Sequence, residues 1–228
     1  MTQIDYAEFH RRLEPLDGEL EEYLDGNWVR HPWIFDIVDD RSRAAWINHW
    51  FRIKRAQWEE ALAERDWLKF VCVYERPHRL EGFFYIADEC THDDYWNTLG
   101  FVWSDSENIW QNIDAWQELW NCDRPNKLAS MNEQERAALA ALPSDLTIYR
   151  GFTEGRLHGM SWTLDRDVAV RFAKRFRGPR AAIATARAKK SDVHAFFDDR
   201  QEREIVVEKY TLLDEIEVPE GSEAGGEA

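Results

Sequence analysis

Apolar positions in the first two thirds of the chain recur at helical spacing, and those in the last third alternate or cluster as in short strands. Residues 5–24 read as an acidic helix broken near Pro15. Gly26 to Asp40 reads as a connection with local turns. A long helix is predicted from Ser42, as N-cap, to about Arg65. Trp46, Trp50 and Ile53 mark one stripe on it, and Ile47, Phe51, Trp58 and Leu62 mark the next, so the helix should be buried over a wide face. Leu68 to Tyr74 and Phe83 to Ile86 read as apolar strands. Ser106 is a candidate cap for a helix carrying Ile109, Ile113, Trp116 and Trp120 at steps of three and four. A further helix starts near Ser130 or Asn132, each with Glu three residues on, as a capping box requires, and stops before Pro143.

From Leu146 the texture changes. Leu146 to Gly151 reads as a strand. Asp165 is a candidate cap for a helix with Val168, Ala169, Phe172, Ala173 and Phe176 on one face, ended by Gly178-Pro179. Residues 181–188, 193–197 and 204–212 read as strands. The acidic end of the chain offers little to bury. Helices first and strands afterwards define an α+β fold rather than a doubly wound sheet. The expected organisation is a mainly helical, Trp-rich region over residues 1–143, a strand-rich core over 144–213 and a disordered acidic tail over 214–228. Of twelve Trp residues, all but Trp162 lie at or before Trp120. Such a set builds a core of large flat side chains.

The formal net charge of −15 argues against unaided binding of a polyanion. The charge is uneven, however. Between Arg166 and Lys190 basic residues predominate, including Arg171, Lys174 and Arg175 on the predicted helix; a solvated helix face is the plain reading of these three. Cys72, Cys90 and Cys122 are sparse and odd in number, which suits reduced thiols. Cys90 and His92 lack the second pair a zinc site needs, so no metal is expected. Neither an apolar leader nor a membrane-length span is read, so the protein is expected in the cytoplasm. Gly-rich and Walker-type nucleotide loops are absent from the sequence.

Three small features stand in a meaningful order. Arg150 sits on a predicted strand before Gly151. Ser161-Trp162-Thr163 opens a second strand. Glu202-Arg203-Glu204 precedes the apolar run Ile205-Val206-Val207. If this last piece is extended, Glu202 and Glu204 face one way and Arg203 the other. Each feature alone is ordinary, and Glu-x-Glu arises easily in an acidic chain.

Together, residues 146–210 resemble the core of the mono-ADP-ribosyltransferases that use an Arg-Ser-Glu catalytic set, a family that includes bacterial toxins and phage enzymes. The resemblance implies a split β-sheet core that grips NAD+ as substrate, with helices before it. It assigns Arg150 to the NAD+ phosphates and ribose, and the Gly151 backbone to the nicotinamide amide. It assigns Ser161 to fixing the catalytic carboxylate. Glu204 becomes the catalytic glutamate, and Glu202 the group that activates the acceptor. Trp162, Thr163 and Phe172 join the cofactor-binding set, with Phe172 a candidate wall of the nicotinamide pocket. The Trp in Ser-Trp-Thr departs from the family's Ser-Thr-Ser, and the stretch from Asp198 to Gln201 lacks the aromatic that many members carry, Phe196 and Phe197 lying too early. The implied function is transfer of ADP-ribose to a host macromolecule, a protein side chain first and a nucleic acid base second, with a cognate inhibitor or antitoxin as a further partner. NAD+ glycohydrolysis is the alternative within the enzyme class. An acidic binding or inhibitor protein on the same fold is the alternative outside it.

Overall fold

A computed structural model describes residues 13–107, 109–153, 156–175 and 181–217. The chain divides into two compact units, residues 1–107 and 108–228.

In the first unit Asp17 caps a one-turn helix, α1 (Gly18–Glu21), by accepting from the Glu19 N–H. The segment read as a turn-rich connection is instead an antiparallel meander of β1 (Leu24–Asp25), β2 (Trp28–His31) and β3 (Ile34–Ile37). Its strands hold only two to four residues, too few for an alternating pattern to stand out. Gly26, at φ +61°, makes the first turn. Val29 and Ile34 face inward and join Leu20, Ile47 and Phe51 in one cluster.

The long helix α2 (Arg41–Glu64) is capped by Asp40 rather than Ser42. The Asp40 carboxylate accepts from the Ser42 and Arg43 N–H groups, both at 2.8 Å, two residues earlier than the sequence pattern suggests. Ile47 and Phe51 are fully buried, while Trp46 and Trp50 flank the cluster. Asn48 is buried too. Its Oδ1 accepts from the Asp17 N–H and its Nδ2 donates to the Pro15 carbonyl, which fastens the chain before α1 to α2.

The two runs read as strands are helices, α3 (Trp67–Val73) and α4 (Arg79–Ile86). Their buried positions explain the misreading. Trp67, Phe70 and Val71, then Leu80, Phe83 and Ile86, follow a period of three to four, but each run is too short and too apolar to declare it. Asp66 caps α3 through the Lys69 N–H. Helix α5 (His92–Asp105), capped by Thr91, was not foreseen, and Ser106 closes it rather than opening the next helix, its N–H bonded to the Trp103 carbonyl.

The second unit opens with α6 (Ile113–Trp120) and α7 (Glu133–Ala141). Asn132 and Glu135 form the expected capping box. Then come β4 (Asp145–Phe152), β5 (Ser161–Thr163), α8 (Arg166–Arg175), β6 (Ala182–Lys189), β7 (Val193–Phe197), β8 (Glu204–Val207) and β9 (Thr211–Glu217). Asp165 caps α8 as foreseen, accepting from the Asp167 N–H at 2.8 Å. Phe176 and Gly178-Pro179 lie outside the described residues. The strands form one antiparallel sheet in the order β7-β8-β5-β4-β6-β9. The architecture is α+β. The stretch 214–217, expected to be disordered, continues β9, with Asp214 to Glu217 paired to Thr185 through Ala182. Strand β9 is an exposed edge that carries apolar Leu212, Leu213 and Ile216 together with acidic Asp214, Glu215 and Glu217. Such a strand reads as tail from composition and is held by ladder hydrogen bonds.

Two histidines are folded in without charge. His31, 5 % exposed, lies against the Tyr23 and Phe51 rings, and its Nδ1 accepts from the Trp33 N–H. Burial, then the nearby Arg55 cation, lowers its pKa to about 4. In the second unit His194 packs on Trp120 beside the Lys127 ammonium, and burial followed by that cation lowers its pKa to about 4. An unfolded His takes its proton near pH 6.5, whereas these take theirs near pH 4, so acid favours the unfolded chain. Their contribution is complete above pH 6.5 and is lost as pH falls toward 4. The urea midpoint should drop between pH 7 and pH 4.5, and less so in His194→Gln. A midpoint that does not move would contradict buried neutral imidazoles. A chain ending at Tyr210 should melt several degrees lower and associate, read by calorimetry and light scattering, because it bares the β6 edge. Unchanged melting would return β9 to the status of a tail.

Candidate active site

Strands β4 and β5 share a single register pair, Tyr149 with Thr163. On either side of this seam the pairing is extensive: β4 matches β6 over eight positions, and β5 matches β8 over three. Beyond Tyr149 the two strands lack register partners on each other. Arg150 is the next residue along β4, and its guanidinium fills the place where a ladder bond would otherwise form. Its Nη1 donates to the Ser161 carbonyl at 2.5 Å.

Arg150 is held closely. The Gly159 Cα lies against the guanidinium; a Cβ there would fall 2.6 Å from Arg150 Nη2. Arg150 Nε is buried and has no hydrogen-bond partner among the described residues. Burial pushes the guanidinium pKa down, while the Tyr210 and Glu204 acids push it up. A buried charge with one donor unused costs free energy, and an anion that accepted from it would recover part of that cost.

Ser161 does a second thing. Its hydroxyl donates to Glu204 Oε1 at 2.5 Å, across 43 residues of chain. The pairing is diagonal on one face: Ser161 faces Val206 and Thr163 faces Glu204 in the β5–β8 ladder. One residue therefore orients the carboxylate with its side chain and the guanidinium with its backbone. Arg150, Ser161 and Glu204 come together as the sequence order suggested.

The other predicted residues divide. Glu202 is near, but not on the strand: β8 begins at Glu204, and Gln201 and Arg203 take left-handed φ values of 56° and 46°. The alternation that would aim Glu202 and Glu204 the same way therefore does not operate. Turn chemistry at Asp198 explains this, since its carbonyl accepts from the Gln201 N–H and its Oδ1 from the Arg203 N–H. Thr163 is 5 % exposed, and its hydroxyl donates to the Glu202 carbonyl and accepts from the Asp165 N–H. It splices β5, the Glu202 loop and α8 together and offers nothing to a ligand. Trp162 is 2 % exposed, with its indole N–H on the Gly159 carbonyl. It points away from Ser161 and Thr163, as expected, and forms a buried wall rather than a contact surface. Gly151 is required by packing: a Cβ there would fall 2.0 Å from the Ala169 carbonyl oxygen and 2.5 Å from the Ala173 nitrogen of α8. Phe172 is half-buried on the same helix.

Two nearby residues, Tyr210 and Gly159, carried no sequence signal that singled them out. Tyr210 packs its ring at a tilt against Trp162, centroids 4.5 Å apart, and its hydroxyl meets His158 Nδ1 at 3.3 Å. Burial raises the Tyr210 pKa, and the Arg150 charge opposes that rise. Gly159 was hidden in an irregular stretch. Strand β8 is also moored beyond its end: Gln117 Nε2 of α6 and Asn121 Nδ2, the residue just after that helix, donate to the two Glu208 oxygens at 2.9 and 2.7 Å.

Chemically, the cluster offers a buried cationic donor for an anion, an aligned carboxylate for a developing positive charge, and a second carboxylate on the adjoining loop. No group of three or more His, Cys, Asp or Glu able to hold a metal ion occurs among the described residues. No helix among them is long and apolar enough to cross a membrane. Comparison with protein-family models, curated proteins and solved structures gives no match.

Gly151→Ala should be among the most damaging single-atom changes in the second unit, costing on the order of 2–4 kcal/mol, because the obstructing atoms are helix backbone and cannot rotate away. Urea unfolding measures it, and a loss below about 1 kcal/mol would mean that α8 stands farther from β4.

Proposed function

We propose that the protein is an NAD+-dependent mono-ADP-ribosyltransferase whose catalytic unit is the strand-rich core around the β4–β5 seam. The observation that carries the reading is the double use of Ser161, whose carbonyl holds the Arg150 guanidinium while its hydroxyl holds the Glu204 carboxylate. A structural ion pair would join Arg to Glu directly. Here a serine stands between them, which suits a site that keeps one charge for an anionic group and the other for a cationic centre.

The reaction asks for that separation. When the bond between the nicotinamide nitrogen and the ribose breaks, the electron pair leaves with nicotinamide and the sugar carbon becomes an oxocarbenium ion. A diphosphate must be held and negative charge placed beside the cation. Arg150 serves the diphosphate through a planar charged fork. Glu204, oriented by Ser161, accepts from the ribose hydroxyl and stabilises the cation, as carboxylates do in glycoside cleavage. The acceptor then attacks the sugar carbon and loses its proton, for which Glu202 is the nearby base. Two three-stranded halves joined at one bridge support a split-sheet fold of this family. The seam also leaves the Gly151 backbone without a β5 partner, in keeping with a nicotinamide contact.

The acceptor is a host protein side chain in this reading, with a nucleic acid base as the second class. Hydrolysis shares the first half of the reaction and needs water alone for the second; the presence of a separate carboxylate at Glu202 favours transfer. An acidic binding protein would have no use for a carboxylate aligned by a serine.

Glu204→Gln tests the assignment. The amide oxygen still accepts from Ser161, so the fold should survive. Loss of the negative charge should cut nicotinamide release on the order of a hundredfold or more. Near-normal release from a folded variant would overturn the role of Glu204.

A further inference from the structure

Glu135 is a buried carboxylate, 5 % exposed, in the first turn of α7. A capping box explains part of it: Glu135 Oε2 accepts from the Asn132 N–H at 2.9 Å, and Asn132 Oδ1 accepts from the Glu135 N–H at 2.9 Å. A box needs one acceptor oxygen, and Gln supplies that as well as Glu does. The second oxygen is used elsewhere. Oε1 accepts from the Asp198 N–H at 3.1 Å, 63 residues away. Only a carboxylate accepts two N–H groups on two separate oxygens. The residue type is therefore explained by the link to Asp198, and the cap alone leaves it unexplained.

Asp198 begins the loop that carries Glu202. Its carbonyl accepts from the Gln201 N–H at 2.8 Å and its Oδ1 from the Arg203 N–H at 3.0 Å. Those two bonds accompany the left-handed backbone at Gln201 and Arg203, which L side chains adopt at a cost. Such a conformation persists only where its surroundings fix it, and Glu135 fixes the first residue of the loop. On the far side the Thr163 hydroxyl holds the Glu202 carbonyl and the Leu164 N–H holds the Arg203 carbonyl.

We infer that Glu135 is a positioning residue for the acceptor half of the reaction: it latches the 198–203 loop that carries Glu202. The inference rests on the transferase reading. Glu204 lies on β8 and is aligned by Ser161, so its part of the chemistry does not run through the latch. Transfer depends on the latch, and cleavage of NAD+ depends on it much less. A displacement of about 1 Å at an orienting group is enough to cost on the order of a hundredfold.

Glu135→Gln tests this beside Asn132→Ala, which weakens the same helix cap and leaves the Asp198 bond intact. Each variant is given labelled NAD+ and bacterial lysate protein as acceptor, and both nicotinamide release and label transfer are measured. Glu135→Gln should lower the ratio of transfer to release about tenfold or more, whereas Asn132→Ala should leave it unchanged. Amide exchange at Asp198 and Arg203 should quicken in the first variant alone. If Glu135→Gln does not fold, Glu135→Asp replaces it. That change keeps a carboxylate at the helix N-terminus, shortens its reach to the Asp198 N–H and should shift the ratio the same way. Equal loss of both activities, an unmoved ratio, or Asp198 exchange as slow as in wild type overturns the latch. A wild-type protein that releases no nicotinamide overturns the enzymatic reading, and amide exchange then decides on the latch independently.

Discussion

Everything in the candidate site depends on how a sheet tolerates a guanidinium in its seam. Strands β4 and β5 pair once, at Tyr149 and Thr163, and then part. A gap in a ladder leaves a carbonyl without its usual donor, and a buried carbonyl must find one. Arg150 supplies it to Ser161 and is itself brought into a place where Nε has no partner among the described residues. Gly159 clears the space for it, and Trp162 and Tyr210 stand nearby. One unmade strand pair thus yields a buried cation with donor capacity to spare.

The facing carboxylate is held by different means. Strand β8 has four residues; the Ser161 hydroxyl holds its Glu204 carboxylate, and the chain on either side of the strand is moored to helices. Before it, Glu135 of α7 takes the Asp198 N–H. After it, Gln117 of α6 and Asn121 at the end of that helix donate to the Glu208 carboxylate. The helices ahead of the sheet act as its frame, and their polar residues do so through charged acceptors, which form stronger hydrogen bonds than neutral ones.

Much of this was legible in the sequence where the physics is local. The capping residues Asn132, Glu135 and Asp165 announced α7 and α8, and the order Arg150, Ser161, Glu204 identified the three residues that meet. What failed was also physical. Helices α3 and α4 expose too few polar positions for a period to show, and β1 to β3 are too short to alternate visibly. Glu202 was read as strand because left-handed residues at Gln201 and Arg203 carry no glycine to reveal them. Trp162 and Thr163 sit in the right tripeptide, yet burial gives one to the core and the other to backbone hydrogen bonds. Tyr210 and Gly159 depend on long-range contacts that no spacing encodes. The match between motif order and geometry is thus strongest for residues whose partners are side chains of the motif itself.

The edge strand β9 gives the acidic balance of the chain a location. Leu212, Leu213 and Ile216 are exposed there on a strand with open backbone groups, the arrangement by which sheets grow from one molecule to the next. Asp214, Glu215 and Glu217 are interleaved with them. Two such edges brought together would set carboxylate against carboxylate. The negative charge at this edge therefore acts as an electrostatic gatekeeper that opposes such pairing at neutral pH while leaving the strand's own ladder to β6 intact.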